Sequence, residues 1–334
     1  MGGCSILSRV ISEVPKAAIV VCMALLVSAC SDEPAAEPLI SKGESLAMRR
    51  AQPTELPAPI EASAPSPVAP ARPENSVSLG WAMVLDAIPD PSIVTNADFR
   101  ARIEATRLPW RVRDNRTNIE MLLVPPGEFT MGSGAEDLDA QSAEKPAHRM
   151  TITKAFYLGR YEVTQLEWER VRNMNPSAFF SPNFPVQRVS FAEALIFLQE
   201  TGLRLPTEAE WDYACRAGAS DPRYGELNTV AICEGNSKKK PGFVGLMAPN
   251  ALGFHDMLGN AMEWCSDFYS PDYYAQSASG AQDASGPESG TTRVMRGGSW
   301  AGIAKMCRAS YRYGVQADYR GDYNGDGLRV VRNP

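Results

Sequence analysis

Apolar and polar positions change rhythm several times along the 334 residues. An apolar run, Ala17 to Leu26, follows Arg9 and Lys16 and closes with Val27-Ser28-Ala29-Cys30. The run is short for a bilayer span and has the length of an export-signal core. From Ser31 to about Val77 the periodicity disappears, and nine prolines between Pro34 and Pro73 alternate with Ala, Ser and Glu. Such a stretch buries too little apolar area to offset its ordering entropy and favours extended polyproline conformations. At roughly 3.1 Å per residue, about 45 residues reach ~140 Å, so the segment reads as a tether. Order returns over residues 81–117. Asn96 is placed to cap a short helix, Ala97 to Thr106, and Leu108 to Val112 reads as an extended lead-in, together a collar packed on the C-terminal domain.

Residues 118–334 are dense in local signals. Met121 to Val124 and Glu128 to Met131 flank Pro125-Pro126-Gly127 as strand, turn and strand, and Met150 to Thr153 and Phe156 to Gly159 continue the β pattern. Three helix starts share the S/T-x-x-E spacing: Thr164 with Glu167, Ser190 with Glu193 and Thr207 with Glu210. In this arrangement the hydroxyl accepts from the third backbone N–H and the carboxylate from the cap's own N–H. Gly202 and Gly218 sit where left-handed helix ends are expected. Beyond Gly218 the chain becomes rich in Gly, Asn and Asp, with short strand-like pieces at Arg293 to Arg296 and Leu328 to Val331. The prediction is a few short helices on a loop-rich β framework, an α+β fold of low regular content. The predicted organisation is a signal over residues 1–29, a tether over 30–80, the collar over 81–117 and a folded domain over 118–334.

The net charge of −6 supplies no cationic surface, which argues against a nucleic-acid partner. With only His148 and His255 present, a three-histidine metal cage is impossible. Val27-Ser28-Ala29-Cys30 resembles the bacterial lipobox, which implies lipidation of Cys30. Ser31, rather than Asp, comes next, which under the usual sorting rule implies an outer-membrane lipoprotein of the bacterial cell envelope, facing the periplasm or the cell surface. Cys215, Cys233, Cys265 and Cys307 then remain in the exported part, where disulfides are allowed and four cysteines permit three complete pairings.

A series of segments, in order, resembles one family: Leu123-Val124-Pro125-Pro126-Gly127-Glu128-Phe129-Thr130-Met131-Gly132, Tyr161-Glu162-Val163-Thr164, Asn175-Pro176-Ser177, Pro185 to Ser190, Leu203-Arg204-Leu205-Pro206-Thr207-Glu208-Ala209-Glu210-Trp211, Gly259-Asn260-Ala261-Met262-Glu263-Trp264, Arg296-Gly297-Gly298-Ser299-Trp300 and Gly327 to Arg332. The concatenation over residues 119–332 is similar to the formylglycine-generating enzyme, or sulfatase-modifying factor, family. The resemblance implies that family's loop-rich fold, related to a duplicated C-type lectin topology.

It also implies an oxidase that holds Cu(I) between two cysteine thiolates and converts a sulfatase cysteine to formylglycine with O2. Here the motif is incomplete. Aligned without a gap, Cys307 takes the second cysteine's place and Gly302 the first's; with an insertion, Cys307 takes the first's and Arg312 the second's. The tryptophan before the Glu-Trp pair is Met262. If the chain is active, Cys307, Ser299 and Trp300 carry the chemistry. For Ca²⁺ the resemblance implies Asp256, Gly259, Ala261 and Glu263, a set of hard oxygen donors within eight residues. The expectation is an envelope-anchored module that recognises an envelope protein or peptide and lacks the paired-cysteine Cu(I) site. A divergent oxidase, acting on sulfatases or another envelope substrate, is the alternative. Contact with the membrane is expected through the lipid anchor only.

Overall fold

A computed structural model describes residues 79–276, 280–320 and 325–334. The predicted export signal, Cys30 and nearly all of the tether lie outside these residues. The chain first forms β1 (Ala82–Asp86), α1 (Ala97–Ala105), β2 (Arg111–Asp114), β3 (Glu120–Val124) and β4 (Gly127–Met131). Next come β5 (His148–Ile152), β6 (Phe156–Gly159), α2 (Gln165–Arg172), α3 (Phe191–Thr201) and α4 (Glu208–Arg216). The later elements are shorter: α5 (Leu227–Val230), β7 (Ala231–Ile232), β8 (Leu258–Gly259), β9 (Met262–Phe268), α6 (Tyr273–Gln276) and β10 (Ala281–Gln282). The last are β11 (Thr292–Arg296), β12 (Arg312–Gln316), β13 (Asp326–Gly327) and β14 (Val331–Arg332).

The strands form sheets ordered β1-β2-β3-β6-β14, β10-β5-β4 and β12-β11-β9-β13, with β7 and β8 as a separate parallel pair. Pro125-Pro126 joins strands of two different sheets, because β3 pairs with β6 while β4 pairs with β5. The expected collar, residues 81–117, supplies β1 and β2, which pair onto β3 and extend the first sheet. The C-terminal β14 closes the opposite edge against β6.

All three capping boxes form, at Thr164, Ser190 and Thr207, and Asn96 caps α1. Gly202 ends α3 in the left-handed region at φ 74°, whereas α4 ends one residue earlier than expected, at Ala217. Trp110, Trp168, Trp211 and Trp264 are buried, and Trp168 stacks on Phe197 at 5.0 Å to join α2 and α3. His148 opens β5, is buried and meets Tyr274 edge-on at 4.9 Å.

Candidate functional site

The Gly259-Asn260-Ala261 turn and the Arg296-Gly297-Gly298-Ser299-Trp300 loop are laced together by backbone bonds. Gly259 N–H donates to the Gly297 carbonyl at 2.8 Å, and Trp300 N–H donates to the Asn260 carbonyl at 2.9 Å. Gly259, Asn260, Gly297 and Gly298 all have positive φ, which glycine and asparagine tolerate best. At Gly298 a Cβ would lie 2.9 Å from both the Cys307 sulfur and the Met306 carbonyl, so only glycine lets these segments close.

Arginines anchor the rest of the loop. Arg296 Nη1 donates to Glu208 Oε1 at 2.8 Å and Nη2 to Asp212 Oδ2 at 2.7 Å. Arg312 grips the same glutamate, with Nε to Oε1 at 2.6 Å and Nη2 to Oε2 at 2.8 Å. Burial alone would raise the Glu208 carboxyl, yet Arg312 and Arg296 hold it below the ordinary carboxylate range. Arg308, next to Cys307, pairs with Glu144 at 2.7 Å and Asp137 at 2.6 Å. The loop carrying Ser299, Trp300 and Cys307 is thus held from α4 on one side and from the Asp137–Glu144 segment on the other.

The expectation that Cys307 lacks a sulfur neighbour is corrected. Cys233 follows β7, and its sulfhydryl lies beside that of Cys307. Two backbone bonds bring the segments together: Asn260 N–H to the Ile232 carbonyl at 2.8 Å and Glu234 N–H to the Gly302 carbonyl at 2.9 Å. Burial, then the neighbouring Cys233, pushes the Cys307 thiol up to about 12. Cys307 is 0% exposed and Cys233 1%. In donor type, two soft sulfurs suit Cu(I). An oxidase also needs a position where a substrate thiolate can reach the metal, and sulfurs enclosed to this degree do not provide it. The residues therefore do not fit the copper centre that the sequence resemblance implies. Ser299 and Trp300 are also buried.

The predicted calcium residues share the turn preceding and entering β9. Glu263 is already committed: Arg329 meets it at 2.7 Å and Trp211 Nε1 donates to it at 2.6 Å. Asp256 differs. Its Oδ2 accepts from Gly245 N–H at 2.5 Å, while its buried Oδ1 has no hydrogen-bond donor. Glu162, missed as a site residue in the sequence, accepts from Ala261 N–H at 2.7 Å and Asn260 Nδ2 at 2.8 Å. Burial and the charges of Asp256 and Glu263 raise the Glu162 carboxyl well above its usual range. Burial likewise raises Asp256, to about 6. Glu162, Asp256 and Glu263 thus surround one arginine, Arg329, leaving an acidic excess and one free carboxylate oxygen. That arrangement fits a hard cation at Asp256, with Glu263 serving mainly to hold Arg329.

Beside Trp300 the surface is apolar. Phe179 meets Trp300 edge-on at 5.4 Å, and Phe184 packs on Phe243 at 5.2 Å. Phe180 is 73% exposed, Leu246 61% and Phe243 52%. The buried Gln165 shapes this face, donating from Nε2 to the Phe179 carbonyl at 2.8 Å and accepting at Oε1 from Asn175 and Ser181. Nothing in the local sequence marks Gln165 for this role, since its partners lie 10 to 16 residues away. A separate cleft of about 1100 Å³ opens between α3, β6 and the Leu203–Thr207 segment, and none of the predicted site residues lines it.

The fold and the glycine-turned Ser-Trp loop define a sulfatase-modifying-factor type of domain. Residues 106–334 match the Sulfatase-modifying factor enzyme 1-like domain, and the chain belongs to that family. It is 37% identical over 171 residues to a formylglycine-generating enzyme of Streptomyces coelicolor, covering 45% of this chain and 52% of that protein. It is 30% identical over 221 residues to the serine/threonine-protein kinase Pkn1 of Chlamydia trachomatis, covering 58% of this chain and 35% of that one. The chain therefore spans about a third to a half of these relatives. Among solved structures it resembles PvdO from Pseudomonas aeruginosa, with TM-score 0.60, 25% identity, and coverage of 67% of this chain and 98% of that one.

Proposed function

We propose that the domain is a binding module that recognises an envelope protein or peptide through the aromatic face beside Trp300, and that it does not turn over substrate. The observation that carries this reading is the enclosure of Cys307 and Cys233 together with the exposure of Phe180, Phe243 and Leu246. Large apolar side chains left facing solvent are what a recognition surface offers. The lipobox-like Cys30 supplies the membrane attachment, at the outer membrane of a bacterial envelope. Calcium would be held by Asp256 with the backbone carbonyls of Gly259 and Ala261, and its charge would offset the acids around Arg329.

The test is direct. The purified chain is loaded anaerobically with Cu(I), then given O2 and a Cys-x-Pro-x-Arg peptide, and the peptide mass is followed. The expected result is unchanged peptide. Formylglycine in the product would overturn the reading and restore the oxidase alternative. For the anchor, blocking the lipoprotein signal peptidase with globomycin should accumulate a precursor; no accumulation would refute lipidation at Cys30.

A further inference from the structure

Two buried thiols lie beside one another although 74 positions separate them, and the binding role leaves them unused. Cys233 lies in a tight loop where Asn236 and Ser237 N–H both donate to its carbonyl, at 3.0 and 2.9 Å, and Asn236 Oδ1 accepts from its N–H at 2.9 Å. Cys307 is fixed equally closely. Its N–H donates to the Ala304 carbonyl at 3.1 Å, and Arg223 Nε donates to its own carbonyl at 2.8 Å. The Glu234–Gly302 backbone bond clamps the two loops beside the sulfurs, and the missing side chain of Gly298 makes the space that the Cys307 sulfur fills. All four described cysteines are buried and free; Cys215 lies in α4 and Cys265 in β9, away from this pair of loops.

We infer that Cys233 and Cys307 form a disulfide under oxidising conditions, cross-linking the loop after β7 to the loop beneath Trp300. In this step two S–H bonds break and one S–S bond forms. The two electrons and two protons pass to a small-molecule or protein disulfide, whose S–S bond breaks to give two thiols. Both sulfurs are covered in the folded chain, so the bond forms as the chain folds and is then shielded from reductants. The cross-link would hold the Ser299–Cys307 loop, and hence the seat of Trp300, by a covalent tie in addition to the arginine anchors.

The purified chain is unfolded, fully reduced, and refolded in a mixture of oxidised and reduced glutathione; free thiols are then alkylated in denaturant and the peptides mapped by mass. The expected product is one linked pair, Cys233 with Cys307, with Cys215 and Cys265 alkylated. A closed loop of this length predicts a Tm roughly 10 °C higher for the oxidised chain than for the reduced one. Cys233→Ser should abolish that reductant sensitivity, and where this variant does not fold, the oxidised-against-reduced comparison of the unaltered chain is the readout. Alkylation of both Cys233 and Cys307 after refolding, or a linkage through Cys215 or Cys265, would overturn the assignment. Stoichiometric binding of added Cu(I) by the chain refolded in the glutathione mixture, lost in Cys307→Ser, would overturn it as well.

Discussion

Replacing Glu208 by Gln perturbs the buried charge chain that seats the Ser-Trp loop. The Glu208 carboxylate, 1% exposed, receives hydrogen bonds from Arg296 and Arg312, which are themselves buried. In the variant the glutamine keeps one acceptor oxygen and turns an N–H₂ group toward a guanidinium. Arg296 retains Asp212 at 2.7 Å, and Arg312 retains the Ala143 and Ser270 carbonyls at 2.9 and 3.2 Å. Two positive charges then share one fewer acid in a place where water does not reach. Removing one partner of such a buried network costs about 3–5 kcal/mol. For a domain of this size that is a drop in Tm of roughly 10 °C. Glu128→Gln is the internal control. Glu128 also pairs with an arginine, Arg149, but both side chains are well exposed, so the loss should stay below about 1 kcal/mol. Urea unfolding and calorimetry at neutral pH measure both. Equal losses in the two variants, or a loss below about 1 kcal/mol for Glu208→Gln, would refute the claim that burial of this network seats the loop.

Two further outcomes are expected. Burial, reinforced by the charge of Glu208, raises the Asp267 carboxyl to about 7. The folded state therefore holds a proton that the unfolded chain releases near pH 4, so this group's contribution is present below that pH and is lost as pH rises to about 7. The loss totals about 4 kcal/mol, and Asp267→Asn should flatten that decline in denaturant titrations between pH 4 and 8. Calcium should raise the Tm of the parent chain and leave Asp256→Asn unmoved; identical melting of the parent with calcium and with chelator would remove the calcium claim.

Local chemistry was readable in the sequence, and long-range pairing was not. The capping boxes at Thr164, Ser190 and Thr207 involve residues three apart, so their spacing predicts them directly. The ordered run of family segments likewise carried the fold. The roles of β1 and β2 were missed because strand partners are chosen by the sheet edge available, which no local pattern encodes. At His148 the local signal points the wrong way for a similar reason: Pro146 suggests a loop, yet β5 begins two residues later, between β4 and β10. At the site, Glu263 looked like a free cation ligand because Arg329 lies 66 residues further on. Counting one sulfur near Cys307 failed on the same ground, since Cys233 arrives through backbone bonds that tie Ile232 to Asn260 and Glu234 to Gly302.

The enclosure of these two sulfurs decides between recognition and oxidation, and native-state alkylation measures it. The chain is reduced in denaturant, refolded under anaerobic reducing conditions so that both thiols stay free, exposed to iodoacetamide, and mapped for Cys233 and Cys307 over time alongside the same chain in denaturant. Both cysteines should react at least about 100-fold more slowly in the folded chain, because modification must wait for the loops to open. Labelling of Cys307 at the rate seen in denaturant would contradict the account and place a reactive thiol at the surface.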